Sequence, residues 1–359
     1  MGPVTSTQIG NATMNEPGML MAQEIAEQPA ALGRLFDSGL SEIRRVAAQI
    51  ASASPRFVVF AARGTSDHAA LYAKYLFEVL LGWPAGLASP STMTAYGARP
   101  DLRDVLFVGV SQSGGSPDLV GSLRTARECG AVTLAITNAP NSALASQAQL
   151  HIDVLAGPER AVAATKSYTS ELLALYLLVD AMRGGDGVAA QGLVEAATTI
   201  VSDPEPSRAV AKRFVDAERL VVTGRGYAYP TAREAALKLM ETSYVSAQAF
   251  SGADLLHGPM AMLERGSAVI AISPGGVSGD AIAPVLERLV EIDTNLAVVG
   301  DGLAGHPGVG RLSLPTGLPE ELSPIVQIIP LQMVARELAI IRGHDPDAPR
   351  GLRKVTETW

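Results

Sequence analysis

Three apolar segments in the first half of the chain return in the second half at one constant spacing. The matched pairs are FVVFAARG (57–64) with LVVTGRG (220–226), LFVGVSQSGG (106–115) with AVIAISPGG (268–276), and TLAIT (133–137) with NLAVV (295–299). In this alignment Gly64 pairs with Gly226 and Ser111 with Ser273, each 162 residues apart. Three matches without a shift indicate an internal repeat. Because 359 residues are enough for two domains, the chain is predicted to contain two copies of one domain.

Within each copy, short apolar segments alternate with stretches of helical spacing. Residues 105–110 form an unbroken apolar run, typical of a strand buried on both faces, and helical spacing begins at Pro117. Strands that alternate with helices form a parallel sheet covered on both sides. The predicted fold class is therefore α/β, with two tandem, doubly wound parallel-sheet domains of flavodoxin-like type related by the repeat.

A loop of serine and glycine residues, SQSGGS at 111–116, joins this strand to the helix that follows. Ser116 suits the N-cap position and Pro117 suits the first helical turn, so the loop should end at a helix N-terminus. Free N–H groups and the helix dipole favour an anion there. A turn without a ligand is the alternative, but a position at the carboxyl end of a parallel strand favours a binding site. No nucleotide-binding motif follows a predicted strand, so we expect one small phosphomonoester.

The second copy has diverged at the equivalent loop and carries other candidate residues. SPGGVS at 273–278 places Pro274 where a backbone donor stood, so the phosphate site is assigned to the first copy. Lys238 and Glu241 are three residues apart and share a helix face, and His257 precedes a Gly-Pro turn. A surface ion pair and a turn histidine are the ordinary explanations. Together, these side chains are candidates for an acid and a base.

Charge and composition exclude several functional classes. A formal charge of −8 argues against general affinity for nucleic acid or an anionic membrane. Apolar runs are broken before the ~20 residues of a membrane helix, and no signal-peptide pattern is present. One cysteine, Cys129, excludes an internal disulfide and a cysteine-based zinc cluster, and the five histidines are scattered. We therefore predict a cytoplasmic protein without a metal or other cofactor.

The pattern divides the chain into four parts. The expected linker between the two domains is at 202–207. The expected parts are a flexible N-terminal arm (1–18), a first domain with two leading helices and the phosphate loop (19–201), a second domain with the candidate acid and base (208–342), and a C-terminal tail that closes the active site (343–359).

Seven motifs, in order along the chain, together resemble those of one known family. They are MAQEIAEQP (21–29), RGTSDHA (63–69), SQSGGSPD (111–118), AVAATKSYTSE (161–171), EAALKLMETSY (234–244), LLHGPMAML (255–263) and DPDAPRGLRKVTETW (345–359). They resemble tandem sugar isomerase (SIS) domain proteins, specifically the isomerase half of glucosamine-6-phosphate synthase and the related stand-alone deaminases. The resemblance covers about residues 19–359.

The resemblance implies a role for individual residues. Those implied to bind the phosphate or line the sugar are Thr65, Ser66, Ser111, Gln112, Ser113, Ser116, Val162 and Ala163. Glu241 is implied to move a proton between two sugar carbons, and Lys238 to lie near them. His257 is implied to open the pyranose ring from the neighbouring subunit of a homodimer. Lys354 is implied to contact the open-chain sugar, where it can form an imine.

Two departures from the synthase affect the predicted function. Ala164 stands where the synthase has a serine, and no glutaminase domain with a leading cysteine precedes the first helix. Glutamine is therefore not the expected nitrogen source, and four motifs look closer to the deaminases. The predicted reaction is the isomerising deamination of D-glucosamine 6-phosphate to D-fructose 6-phosphate and ammonia, in amino-sugar catabolism.

Several alternatives to the deaminase remain open. The other enzymes are a plain phosphosugar isomerase, a deglycase acting on a phosphorylated sugar–amine adduct, and a glutamine-independent isomerase module of the synthase type. A non-catalytic phosphosugar sensor is a further alternative. It is less favoured because Glu241 and His257 are both retained and no room for a DNA-binding domain precedes the first helix.

Overall fold

A computed structural model describes residues 16–354, which contain ten strands in two fully parallel sheets. The predicted arm lies mostly outside the described residues, as do the last five residues of the predicted tail. The strands are β1 (Phe57–Ala61), β2 (Ala85–Leu87), β3 (Val105–Ser111), β4 (Val132–Thr137), β5 (Leu150–Asp153), β6 (Arg219–Gly224), β7 (Ser246–Ser251), β8 (Ala268–Ser273), β9 (Asn295–Gly300) and β10 (Gly310–Leu312).

Helices precede, follow and separate these strands. They are α1 (Met19–Ala26), α2 (Gln28–Arg34), α3 (Leu40–Ala53), α4 (Thr65–Leu76), α5 (Pro90–Thr94), α6 (Pro117–Glu128), α7 (Ala143–Gln147), α8 (Lys166–Met182), α9 (Leu193–Ser202), α10 (Glu205–Arg213), α11 (Ala228–Ser243), α12 (Gly252–Leu256), α13 (Val277–Glu291) and α14 (Ser323–Ile341).

The two sheets have the same strand order. The first is β2-β1-β3-β4-β5, and the second, listed from its opposite edge, is β7-β6-β8-β9-β10. Every residue of the central strands β3 and β8 is buried, which explains why both segments are unbroken apolar runs. The identical order confirms the predicted fold of two doubly wound α/β domains.

One hydrophobic core is shared by both sheets, and each sheet has a smaller core on its other face. The shared core takes Phe60 and Val108 from the first sheet and Val222 and Ile270 from the second. The outer cores lie under α6 in the first copy and α13 in the second. Because a strand sends successive side chains to opposite faces, each central strand serves two cores.

Helix α14 is the longest helix and lies within the shared core. The segment Glu320–Ile341 is long and apolar enough to cross a membrane by length and composition alone, but 78% of an apolar 18-residue stretch within it is buried inside the protein. Its polar side chains Gln327 and Gln332 are fully buried and hydrogen-bonded, for example to Gln28 Nε2 at 2.9 Å. The apolar composition is therefore that of a core helix.

The structure differs from the sequence prediction at the expected linker. Helix α9 continues to Ser202 and α10 begins at Glu205, so only two residues separate them. Pro206 lies in the first turn of α10, where a missing N–H leaves no hydrogen bond unmade. The assignment of 202–207 as a linker is therefore wrong, because its prolines begin a helix.

The helix that follows the first strand of each copy brings the two halves of the site together. Helices α4 and α11 follow equivalent strands, β1 and β6, and pack against each other. This contact places the carboxyl end of the first sheet beside the polar face of α11.

Candidate active site

A cavity of about 330 Å³ opens where the carboxyl end of the first sheet meets α11 and the C-terminal tail. Ten of the predicted site residues line it: Thr65, Ser66, Ser111, Gln112, Ser113, Ser116, Val162, Lys238, Glu241 and Lys354. A larger cavity of about 680 Å³, at the opposite end of the second sheet, contains none of them. Ligands of parallel sheets bind at the carboxyl end, so the smaller cavity is the candidate site.

The loop at 111–116 is held in a tight turn by its own serines. Gly114 has a φ of +59°, and its N–H donates to Ser111 Oγ at 3.1 Å. A Cβ at position 114 would overlap the side chain of Ser142, so only glycine fits there. Ser116 is the N-cap residue of α6, but its side chain makes no capping hydrogen bond, contrary to the usual use of such a serine. Ser116 instead lines the cavity.

The equivalent loop of the second copy is occupied by a carboxylate of the same chain. Glu320 accepts hydrogen bonds from the N–H groups of Val277 and Ser278, both at 2.8 Å, and from the hydroxyl of Ser278. Ser278 corresponds to Ser116 in the repeat. The helix N-terminus that would attract an anion in the second copy therefore already holds one.

Arg63 is a cavity residue to which the sequence analysis gave no role. Its guanidinium donates to Asp118 Oδ2 at 2.8 Å through Nε and lies 2.7 Å from the same oxygen through a terminal nitrogen. Asp118 is 2% exposed, so the ion pair fixes a cation beside the serine loop at 111–116. A basic residue directly after a buried strand, in RGTSDHA, was the available signal.

A buried polar network links α4 and α11 beneath the cavity. Lys238 Nζ lies 2.5 Å from Glu241 Oε2, 3.1 Å from Thr65 Oγ1 and 3.4 Å from Glu234 Oε1. Glu234 also accepts from Thr65 at 3.0 Å and lies 2.7 Å from His68 Nδ1. Lys238 and Glu234 are buried, whereas Glu241 is part-exposed, with 23% of its side chain accessible. Its carboxylate is therefore fixed in position yet accessible from the cavity.

The charge of Lys238 is determined by its two carboxylate neighbours. Burial lowers the pKa of Lys238, but the charges of Glu234 and Glu241 outweigh this effect and hold the pKa well above its usual value. The side chain is therefore an ammonium ion whose three protons face acceptors, rather than a free nucleophile.

Lys354 reaches the cavity from the C-terminal tail and pairs with Glu159. The two atoms Lys354 Nζ and Glu159 Oε2 are 2.8 Å apart. Burial raises the pKa of Glu159, but the charge of Lys354 and hydrogen bonds from Ser167 and Thr165 bring it below its usual value. Glu159 was not predicted from the sequence, although it lies two residues before the motif AVAATKSYTSE.

Two predicted residues do not line the cavity. Ala163 is 1% exposed and packs beneath it, while its neighbour Ala164 lines the wall. His257 is exposed at the C-terminal end of α12 and does not line the cavity of its own chain. Among residues 16–354, no cluster of histidine, cysteine, aspartate or glutamate side chains could hold a metal ion.

The arrangement combines a serine-rich loop at a helix N-terminus with a carboxylate and two ammonium groups. The loop and Arg63 suit a phosphate, Glu241 can accept a proton from carbon while Lys238 holds it in place, and Lys354 can stabilise negative charge that develops on a ligand oxygen. This is the chemistry of proton transfer next to a carbonyl group.

Comparison with known proteins finds a match to one family model and to relatives of similar sequence. The model of the SIS domain matches residues 52–181 and 213–299. The glutamine–fructose-6-phosphate aminotransferase (isomerizing) of Thermococcus kodakarensis is 34% identical over 93% of this chain, which spans 57% of that enzyme. The chain thus covers less than two thirds of this curated relative.

Two solved structures match over nearly their whole length. A protein of Silicibacter pomeroyi, provisionally described as a phosphosugar isomerase, has a TM-score of 0.82 and 32% identity, with 91% of this chain and 99% of that chain covered. The C-terminal domain of the glucosamine-fructose-6-phosphate aminotransferase of Francisella tularensis has a TM-score of 0.81 and 27% identity, with 94% and 100% covered.

Proposed function

Because this chain belongs to the SIS domain family, we propose that its cavity binds an amino-sugar phosphate and that the protein is an isomerising deaminase. The proposed reaction converts D-glucosamine 6-phosphate and water to D-fructose 6-phosphate and ammonia. The observation that carries the proposal is the position of Glu241, whose carboxylate shares one small cavity with the serine loop at 111–116.

In the proposed reaction, Glu241 moves one proton between neighbouring carbons. The open-chain amino aldose is held by its phosphate, and Glu241 removes the proton from C2 while the electrons move toward the C1 carbonyl oxygen. Return of the proton to C1, with transfer of one N–H proton to the C1 oxygen, gives the 2-imino form of the ketose with a hydroxyl at C1. Water adds to this imine and ammonia leaves, so that atoms and charge balance. General acid–base catalysis of this kind contributes about 10²–10⁴-fold.

The two lysines of the cavity suit the charges of these steps. Lys354, as an ammonium ion paired with Glu159, can stabilise the oxyanion that develops at C1. Lys238 holds the Glu241 carboxylate in place through their 2.5 Å ion pair. Neither lysine has to lose its proton for these roles.

Ring opening is assigned to His257 of a second copy of the chain. In its own chain the histidine is exposed and outside the cavity, while the loop around it presents the exposed apolar side chains Leu256 and Met262, 47% and 48% exposed. Such side chains favour contact with a partner. We therefore propose a homodimer in which each subunit supplies His257 to the other.

A phosphosugar isomerase without deamination is the second candidate. The same Glu241 would interconvert an aldose and a ketose phosphate, and the Silicibacter pomeroyi protein supports it by sequence identity and nearly complete coverage.

Release of ammonia from a panel of amino-sugar phosphates and their unphosphorylated counterparts separates these functions. We expect ammonia from glucosamine 6-phosphate without added glutamine, and its loss in Glu241→Gln. The matched control is Glu287→Gln, an exposed glutamate on α13, which should retain full activity.

Two outcomes would contradict the proposal in different ways. Exchange of a substrate proton with solvent deuterium, without ammonia, would establish the isomerase instead of the deaminase. Equal turnover of unphosphorylated glucosamine would remove the argument for a phosphate site.

A further inference from the structure

Glu171 is a buried carboxyl group directly behind the cavity wall. It lies on α8, is 1% exposed, and places Oε1 at 2.9 Å from Ser66 Oγ. Its other oxygen, Oε2, is buried and has no hydrogen-bond partner among the described residues. Ser66 lines the cavity from the first turn of α4. The proposed reaction gives Glu171 no task, although it touches a residue of the site.

The surroundings of Glu171 favour its neutral form. Burial raises its pKa to about 8, and the hydrogen bond from Ser66 opposes this effect. The charged groups that face it are Glu159 from the loop before α8, Glu234 from α11 and Lys354 from the tail. His68 on α4 is paired with Glu234, and Tyr168 lies on α8 itself. At neutral pH the group is therefore a carboxylic acid with one O–H to place.

Ser66 Oγ is the acceptor that the structure offers for this proton. If Glu171 carries the proton on Oε1, the O–H donates to Ser66 Oγ and the carbonyl oxygen Oε2 stays without a partner. The opposite placement would bury an unpaired O–H donor, which folded proteins avoid more strictly than an unpaired acceptor. Ser66 then accepts from Glu171, and its own hydrogen is available for a ligand in the cavity.

We infer that Glu171 is a positioning residue that, as a neutral acid, orients Ser66 to donate a hydrogen bond to the phosphate of the substrate. When Glu171 ionises, Ser66 has to donate to the carboxylate instead. The ligand then loses one donor and meets an additional negative charge. Phosphate affinity should fall as pH rises, while the proton transfer at Glu241 is unaffected. The inference rests on the proposed function only in taking the ligand to be a phosphomonoester.

Calorimetric binding of fructose 6-phosphate between about pH 7 and about pH 9 tests the inference without turnover. The ligand charge is constant there, because the second pKa of a phosphomonoester is about 6. In the wild type we expect Kd to rise about tenfold, the effect of one hydrogen bond to a charged group. In Glu171→Gln the amide always donates to Ser66, so binding should stay tight and independent of pH.

Three further variants separate positioning from a general structural effect. Glu171→Met has no donor and should bind about tenfold more weakly at both pH values. Ser66→Ala should bind weakly without pH dependence, and adding Glu171→Gln to it should change nothing further. Glu287→Gln should behave as the wild type. In turnover, the variants at position 171 should change KM and leave kcat within about twofold.

Two results would overturn the inference and are distinguishable from each other. The wild-type rise in Kd persisting in folded Glu171→Gln would show that another group titrates, leaving the proposed function intact. Absence of phosphomonoester binding at every pH would overturn the proposed function and the inference together.

Discussion

Lys238 is the residue on which the charge balance of the site depends. It is 1% exposed and lies between Glu234, which is fully buried, and Glu241. An ion pair of this kind gains little over apolar packing, yet removing one partner leaves an uncompensated buried charge. The raised pKa of Lys238 means that its contribution to stability is complete at neutral pH and declines only in strongly alkaline solution.

Replacement of Lys238 by Met should therefore destabilise the protein strongly. We expect the free energy of unfolding to fall by about 3–5 kcal/mol at neutral pH, measured by denaturant titration. Glu241→Gln is the comparison, because it leaves Lys238 paired with Glu234 and should cost less. A loss below about 1 kcal/mol for Lys238→Met would mean that the carboxylates are not charged in the folded protein.

From the sequence we could select residues that line the cavity, but we could not predict which buried carboxylates contact them. Ser111, Lys238 and Glu241 were selected by their local pattern, and the structure places all three at one cavity. Glu159, Glu171 and Glu234 act through contacts across the fold, and neither spacing nor composition predicts such contacts. The N-cap hydrogen bond expected of Ser116 is not made, although Ser116 is the N-cap residue of α6 and lines the cavity.

The first helix and the C-terminal tail hold each other in place. Asp347 accepts hydrogen bonds from the N–H groups of Leu20 and Met21, both at 2.8 Å, and Asp345 accepts one from Gly18 at 3.0 Å. A carboxylate at a helix N-terminus satisfies free donors and interacts favourably with the dipole. The same tail carries Lys354, so the cap on α1 also positions a residue of the cavity.

Loss of this cap should release the tail. Asp347→Ala is expected to lower the free energy of unfolding by about 0.5–2 kcal/mol. Amide hydrogen exchange in residues 343–354 should become faster, and kcat should fall because Lys354 is less well positioned. Asp37→Ala, an exposed aspartate in the turn after α2, is the control. Unchanged exchange in the tail would show that other contacts hold it.

Elements were predictable where burial was complete and less so at the edges of the sheets. The central strands β3 and β8 follow from their apolar runs alone. The edge strands β2 and β7 were not predicted, because they are short or partly exposed and lack a clear alternation. The sequence predicted alternating strands and helices but no order of strands within a sheet, because that order depends on which strands pair across the fold.

The working molecule is proposed to be a dimer with two composite sites. Each cavity holds Glu241 of its own chain, and His257 would reach it from the partner. In a two-fold dimer such an exchange is reciprocal, so both sites are equivalent.

Mixing two inactive variants tests this exchange. Glu241→Gln and His257→Ala should each be inactive, and subunit exchange between them should restore activity. In a mixed dimer, one composite site contains both substitutions and the other contains neither. Up to about half of the wild-type activity per mixed dimer should therefore return. No recovery in heterodimers verified by native mass measurement would assign His257 to its own chain.

The repeat and the divergence of its second loop were both readable from the sequence, but the group that fills the second loop was not. Nothing in SPGGVS at 273–278 indicates that Glu320, 42 residues beyond Ser278, fills the second loop. Glu320 lies in the turn just before α14, and the approach of this turn to α13 is a contact across the fold that local sequence does not reveal.

The cavity takes its walls from residues as far apart as Arg63 and Lys354. During synthesis, the first sheet and its serine loop emerge well before α11, and α11 before the tail. A nascent chain can therefore complete its serine loop while it still lacks Glu241, and it acquires Lys354 only after both sheets have been made. The last wall of the cavity is synthesised nearly 300 residues after the first, so the cavity can be complete only after the strands of both domains have been made.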